Sequence, residues 1–110
     1  MNKYKAVKTE VNGIMFDSKA EARRYGQLLM LERAGQIRQL ERQVVFVLVP
    51  AVILNGRKKP AVRYVADFKY YDFKKLNFVI EDVKGVITPL FRAKQHLMKH
   101  VHNLDILVTS

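Results

Sequence analysis

The chain has 110 residues, of which 49% are hydrophobic and 27% are charged, so its size and apolar content fit one folded domain and exclude a multidomain machine or a disordered chain. Lysine and arginine outnumber aspartate and glutamate by 20 to 10. The resulting net charge of +10 favours a polyanionic partner, with nucleic acid first and an anionic lipid surface second.

The sequence predicts no membrane segment and no secretory signal. The longest uninterrupted apolar run, Val44 to Leu54, has 11 residues, whereas a membrane-spanning helix needs about 20. The first residues lack the apolar segment and cleavage site of a signal peptide. The chain has no cysteine, which excludes disulfides and cysteine zinc sites. We therefore expect a cytoplasmic protein.

The first predicted helix follows a short basic segment, a turn at Asn12-Gly13 and an apolar run, Ile14 to Phe16, that we expect to pack on the core. A capping box, Ser18 to Glu21, opens the helix, which is predicted to reach about Ala34 and to end at Gly35. Its spacing predicts an inward stripe of Ala22, Tyr25, Leu28 and Leu29 and an outward face of Lys19, Arg23, Arg24 and Gln27.

Three strands are predicted in the middle of the chain. The β-branched run Val44 to Val49 is typical of a buried strand. A turn at Asn55-Gly56 and a basic patch follow it. Two further runs, Val62 to Tyr71 and Asn77 to Lys84, are separated by a polar turn and predict an antiparallel hairpin.

A second helix is predicted after Gly85, because Thr88-Pro89 supplies an N-cap and a proline for the first turn. It should reach about His102, and the tail from Asp105 to Thr109 is apolar enough to form a closing strand. The predicted order is α, β, β, β, α, β. The helix positions expected to face inward are Leu90, Ala93, Leu97, Val101 and Leu104.

Two aspartates are predicted to face each other across the hairpin. If its centre lies between residues 74 and 75, Asp67 is opposite Asp82, with Cβ atoms about 4.5 to 5.5 Å apart. Lys84 projects from the same face because side chains alternate along a strand, while Glu81 and Val83 point the other way. This composition is expected where a divalent metal meets a phosphate. An ordinary cross-strand ion cluster on a solvated sheet face is the alternative.

Three other positions have both a functional and a structural interpretation. Glu21 lies on the inward edge of the first helix, where it can reach the site or simply complete the capping box. Lys94 is a cation on a largely apolar stripe, where its stem can also cover apolar surface. His96 and His100 have a zinc-compatible spacing, but they fall on the outward side and lack a third ligand.

These residues carry a resemblance to a known superfamily. The order Glu21, then Tyr64-Val65-Ala66-Asp67-Phe68, then Asp82-Val83-Lys84-Gly85 resembles the PD-(D/E)XK nuclease superfamily, with Ala66 in place of the proline. Within it, Phe16 to Arg23, the strand entered at Gln43 and Glu81 to Gly85 resemble a small nuclease family encoded by phages and prophages. Holliday junction resolvases and the endonuclease subunit of Tn7-type transposases are more weakly similar.

The resemblance implies a restriction-endonuclease-like core over residues 1–110, in which a central mixed β-sheet is flanked by two α-helices. It implies a Mg²⁺- or Mn²⁺-dependent DNA endonuclease in the host cytoplasm, acting on branched or recombination DNA in phage replication. Asp67, Asp82 and the Val83 carbonyl would hold the metal, and Glu21 would complete its shell through water. Lys84 would orient the attacking water and offset charge on the phosphate.

A broad basic surface is predicted to follow DNA phosphates, although each of its charges can also be simply solvated. The alternatives to an independent nuclease are a non-catalytic nucleic-acid-binding module and a nuclease subunit active only within a transposase or recombinase assembly. A homodimer formed through outward Met30 and Leu31 is also compatible with the sequence. The predicted DNA-binding residues are Lys3, Lys5, Arg23, Arg24, Gln43, Arg57, Lys58, Lys59, Thr88, Arg92 and Lys94.

Overall fold

A computed structural model describes residues 7–110, which contain two helices and eight strands. Lys3 and Lys5 lie outside the described residues. The predicted order α, β, β, β, α, β is found in the core, and two short hairpins are added to it. In chain order the elements are β1 Thr9–Val11, β2 Ile14–Phe16, α1 Lys19–Arg33, β3 Ile37–Val49, β4 Val52–Leu54, β5 Arg57–Lys59, β6 Val62–Asp72, β7 Asn77–Val83, α2 Pro89–His102 and β8 Ile106–Thr109.

The central sheet has four strands in the order β3-β6-β7-β8. β3 and β7 are antiparallel to β6, whereas β8 is parallel to β7, so the sheet is mixed, as predicted. The parallel pair requires a long crossover, and α2 supplies it. β1 pairs with β2 and β4 with β5, each as a separate two-stranded hairpin with an Asn-Gly turn.

Each helix covers a different side of β7. The consecutive residues Val79 and Ile80 belong to two separate buried clusters. The cluster with α1 contains Phe16, Ala22, Leu28, Ile37, Phe68, Tyr70 and Val79. The cluster with α2 contains Leu48, Tyr64, Ala66, Ile80, Phe91 and Met98. The two predicted helices therefore flank the mixed sheet.

The regular alternation of β6 is interrupted at Asp67. Tyr64 and Ala66 pack in the α2 cluster, but Phe68, an even number of residues further on, packs in the α1 cluster. In β3 the corresponding position is Gln43, which lies between the partners of Ala66 and Phe68 and has a φ of +53°. A positive φ is uncommon for a non-glycine residue and marks an irregularity in the strand. The predicted site thus lies at a break in the central sheet.

The ends of both helices are predicted correctly. Ser18 caps α1 by accepting the Glu21 N–H, and Thr88 caps α2 by accepting the Phe91 N–H. Within residues 7–110, no helix is long and apolar enough to cross a membrane.

Several predicted faces are wrong. β3 begins at Ile37 rather than Gln43, and it is not buried on both sides, because Val45 is 55% exposed. Leu31 packs against the α1 cluster instead of facing outward, although Met30 is exposed as predicted.

The buried face of α2 is also shifted from the prediction. Leu90, Ala93 and Val101 are exposed, and the buried residues are Phe91 and Met98. Leu97 and Leu104, from the predicted stripe, are partly buried against the same cluster. A large aromatic ring and a long thioether bury more apolar surface than leucine and alanine, which favours this orientation.

Candidate active site

The two predicted aspartates lie side by side at the end of the β6–β7 hairpin. The register runs from Asp72 opposite Asn77 to Phe68 opposite Glu81, as predicted, and the next position brings Asp67 beside Asp82. Asp82 is 2% exposed and accepts a hydrogen bond of 2.8 Å from the Tyr64 hydroxyl. The Val83 N–H donates to Asp67 Oδ2 at 2.8 Å.

The charge of Lys84 does not fully offset the two carboxyl groups of Asp67 and Asp82. Lys84 Nζ lies 3.7 Å from Asp82 Oδ2, and its side chain is 34% exposed. Burial, assisted by a hydrogen bond with Asp82, raises the pKa of Asp67 to about 8. Burial and the charge of Asp82 also raise the pKa of the Tyr64 hydroxyl, which keeps it a donor. Without another cation, Asp67 therefore keeps a proton near neutral pH.

Of the two roles considered for Glu21, residues 7–110 show the one in the site, because the bond to its carboxylate comes from Gln43 and not from a backbone N–H of α1. Its backbone N–H donates to the Ser18 hydroxyl, and its largely buried carboxylate accepts a hydrogen bond of 3.4 Å from Gln43 Nε2. Burial, and then the charges of Asp17 and Asp82, raise the pKa of Glu21, although Arg42 and Lys84 oppose them. The helix carboxylate thus lies within electrostatic range of the aspartate pair.

A cleft of about 730 Å³ opens beside these groups, and it is large enough for a small ligand or a nucleotide. The predicted residues Glu21, Asp67, Val83, Lys84 and Thr88 line the cleft. Asp82 does not, because it is buried behind them. The sequence prediction missed Asp17 and placed Lys19 outward, yet both also line the cleft.

The donor set fits a hard divalent cation. Across residues 7–110, no three His, Cys, Asp or Glu side chains converge into a complete metal site. Asp67 and Asp82 each use one oxygen for a bond to the protein, and Mg²⁺ commonly binds one or two carboxylates while water or phosphate fills its other positions. His96 and His100 line a separate shallow hollow on the exposed side of α2.

Arg24 does not face outward, which corrects the predicted face of α1. Its Nε and Nη2 donate to the two carboxylate oxygens of Glu81 at 2.7 and 3.1 Å. The Tyr70 hydroxyl and the Thr109 hydroxyl also donate to Glu81, which has no exposed surface. Four hydrogen bonds thus satisfy a fully buried carboxylate, and Arg24 is committed to them.

The other predicted DNA-binding residues have varied surroundings. Gln43 reaches into the site, and Thr88 both caps α2 and lines the cleft. Lys94 is half-buried on α2. The exposed members of the set are Arg23, Arg57, Lys58, Lys59 and Arg92.

Arg42 is a residue that the sequence prediction missed. Its guanidinium lies 4.5 Å from the centre of the Phe16 ring, and its charge lowers the pKa of Glu21. Its buried Nε has no hydrogen-bond partner within the described part of the chain. Nothing in the local sequence pattern indicated this placement, because the position depends on the irregularity at Gln43.

The chain belongs to the DUF1064 family, described as proteins of unknown function, and the family model matches residues 1–108. Comparison with curated proteins and with solved structures gives no match.

Proposed function

We propose that this DUF1064 protein is a metal-dependent DNA endonuclease that hydrolyses phosphodiester bonds, with branched or recombination DNA as its substrate. One observation carries the proposal: the buried carboxyl group of Asp82, the partly buried carboxyl group of Asp67 and a lysine share one site beside a cleft. Such a site is electrostatically incomplete until a cation binds. In metal-assisted phosphodiester hydrolysis, a metal held by carboxylates and a nearby ammonium can together offset the charge of the phosphate.

The element order adds support from resemblance. A helix with an inward glutamate, a hairpin with Asp67 and Asp82-Val83-Lys84, and a following helix and parallel strand are similar to the restriction-endonuclease-like core of PD-(D/E)XK nucleases. The acidic helix residue and the aspartates lie in neighbouring positions here, as that resemblance requires. The net charge of +10 agrees with a polyanionic substrate.

Each residue has a distinct task in this proposal. Asp67, Asp82 and the Val83 carbonyl would hold Mg²⁺ or Mn²⁺, and Glu21 would act through water. The bound metal supplies positive charge to the scissile phosphate and acidifies water. Lys84 hydrogen-bonds the attacking water and offsets the charge that grows on the phosphate oxygens. Tyr64 fixes the orientation of Asp82 through its hydroxyl.

Incubation of the purified protein with linear, nicked, flapped and four-way DNA, with Mg²⁺, Mn²⁺ or EDTA, tests the proposal. We expect metal-dependent cleavage, faster on four-way junctions than on linear duplex of equal length. Asp82→Asn should abolish cleavage and weaken metal binding measured calorimetrically. Asp105→Asn, at an exposed position, is the matched control and should cleave at the parental rate.

The outcomes separate the alternatives. Binding without cleavage of any of these DNAs, with either metal, would indicate a nucleic-acid-binding module or a subunit that cuts only in an assembly. Parental cleavage by Asp82→Asn would exclude the site. Equal cleavage of four-way and linear DNA at matched salt would leave a general endonuclease and remove the preference for branched substrates.

A further inference from the structure

The β4–β5 hairpin and its flanking residues form an isolated arm, defined here as residues 50–60. Every residue of the arm is exposed, and its two strands pair with each other but not with the central sheet. Pro50 and Pro60 restrict the backbone at its base. Asn55 and Gly56 form a tight turn with φ angles of +51° and +76°. The arm therefore has a defined shape although it buries no core residue.

The two edges of the arm differ in chemistry. Its three cross-strand pairs each join an apolar residue of β4 to a cation of β5, namely Val52 with Lys59, Ile53 with Lys58 and Leu54 with Arg57. Ile53 is 71% exposed and Leu54 is 52% exposed. There is no acidic residue between Glu41 and Asp67. An exposed apolar edge beside an uncompensated cationic edge indicates a binding surface.

We propose that the arm binds DNA, with its cations on the phosphates that line a groove and its apolar edge against unstacked bases. A two-stranded ribbon fits the major groove, and leucine or isoleucine side chains insert between base steps in other DNA-bending proteins. The choice of DNA as partner rests on the proposed function. The apolar edge specifies the substrate class, because base steps open most easily where the duplex is branched or distorted.

The distribution of charge on the arm favours DNA over a lipid surface. Directly opposed residues of an antiparallel pair project from the same face, so each face of the arm carries both a cation and an apolar side chain. A segment that lies on a membrane instead separates an apolar face from a basic face. Phosphates line both walls of a DNA groove, and cations on both faces can meet them.

The arm is also well placed relative to the candidate active site. β3 passes from Gln43, in the site, to Val49, next to the base of the arm. Six residues of strand span about 20 Å, which corresponds to about six base pairs of duplex. We therefore expect the arm to contact DNA about half a helical turn or more from the scissile phosphate.

Fluorescence anisotropy in EDTA, with a four-way junction and a linear duplex as probes, tests the arm without cleavage. The triple variant Arg57→Ala, Lys58→Ala, Lys59→Ala should weaken binding to both DNAs and reduce the salt slope by up to about three units. The double variant Ile53→Ser, Leu54→Ser should keep the salt slope and lose about tenfold in affinity for the junction, with little change for the linear duplex. Lys74→Ala, Lys75→Ala, in the exposed β6–β7 turn, is the matched control and should bind as the parent does.

The possible results also distinguish this inference from the proposed function. Parental DNA binding by the triple variant overturns the inference, even if the protein is a nuclease. If Ile53→Ser, Leu54→Ser loses affinity equally for both DNAs, the proposed contact between the apolar edge and unstacked bases is overturned. If the arm variants lose binding to vesicles containing phosphatidylserine but keep parental DNA binding, the partner of the arm is a membrane and not DNA. Arm-dependent DNA binding without cleavage under either metal supports the arm and refutes a nuclease that acts alone.

Discussion

Glu81 and Asp82 are consecutive residues of β7 and both are buried, but they point to opposite sides of the sheet and have opposite surroundings. Glu81 receives two hydrogen bonds from Arg24 and one each from Tyr70 and Thr109. Asp82 lies beside a second carboxyl group, Asp67, and its cation is a partly exposed lysine 3.7 Å away. One carboxylate is fully compensated within the protein, whereas the other is not.

The charge of Glu81 holds elements of the fold together, whereas the charge of Asp82 belongs to the candidate active site. The Glu81 network ties α1 and β8 to β7, because Arg24 belongs to the helix and Thr109 to the last strand. It thereby holds Glu21, one turn before Arg24, near the aspartates. The Asp82 side retains an electrostatic deficit that a bound cation would remove. Perturbed carboxyl groups beside a cleft are typical of active sites.

The largest expected effect comes from removing Arg24, the counter-ion of Glu81. Arg24→Ala should reduce the free energy of unfolding by about 3 to 5 kcal/mol, because it leaves the buried Glu81 charge without a counter-ion. Urea denaturation measures this loss. Lys99→Ala removes the exposed pair with Asp105 and is the control, with an expected cost below about 1 kcal/mol. Similar costs for the two variants would contradict the structural role of Arg24.

The next largest effect is on the cleavage rate, and it comes from replacing Lys84 beside Asp82. Lys84→Ala should lower the single-turnover cleavage rate by about 10² or more, since the proposed function places its ammonium in the transition state. DNA affinity should change by no more than one phosphate contact. Lys74→Ala, in the exposed turn, is expected to leave the rate unchanged. A parental rate for Lys84→Ala at saturating enzyme would show that the ammonium is not catalytic.

The pH dependence of stability should report the uncompensated pair directly. Folding raises the pKa of Asp67 from 3.8 to about 8, so the folded chain holds this proton more tightly than the unfolded chain does. The stabilisation from this group is complete below about pH 4 and is lost as the pH rises through about 8. In EDTA, we expect the melting temperature of the parent to fall between pH 5 and pH 9 relative to Asp67→Asn.

The same melting temperatures can contradict the predicted titration of Asp67. A constant difference between the parent and Asp67→Asn over that range would show that folding does not raise the pKa of Asp67. Added Mg²⁺ should reverse the fall, because the cation stabilises the ionised pair. A monovalent chloride at the same ionic strength is the control.

The smallest expected effect is on the metal-free stability of Asp82→Asn. Removing one of two adjacent carboxylates relieves repulsion worth at most about 1 kcal/mol, and the amide oxygen can still accept from Tyr64. A thermal melt at pH 8 in EDTA should therefore give a melting temperature no lower than that of the parent. A clearly lower value would mean that the contacts of Asp82 with Tyr64 and Lys84 outweigh the repulsion.

Much of the candidate site could be predicted because its spacing is local. Asp67, Asp82 and Lys84 belong to one hairpin, and a hairpin with a short turn fixes which residues face each other. The prediction for Arg24 was wrong because α1 has polar residues on both sides of its apolar stripe, and only the position of Glu81 decides which of them turns inward. The α2 face was wrong because its apolar residues form one broad stripe, and only packing on the sheet decides that the edge with Phe91 and Met98 is the buried one.

By itself, the sequence determined where both helices begin and end, the hairpin register and the mixed α/β order, since capping residues, turn residues and side-chain alternation act over a few neighbouring positions. The tertiary structure decided the buried face of α2, the break of alternation at Asp67 and the approach of Glu21 to the aspartates. These features depend on contacts between distant segments, such as Arg24 with Glu81, which lie 57 positions apart. Local periodicity carries no information about such contacts, because they form only when the helices pack on the sheet.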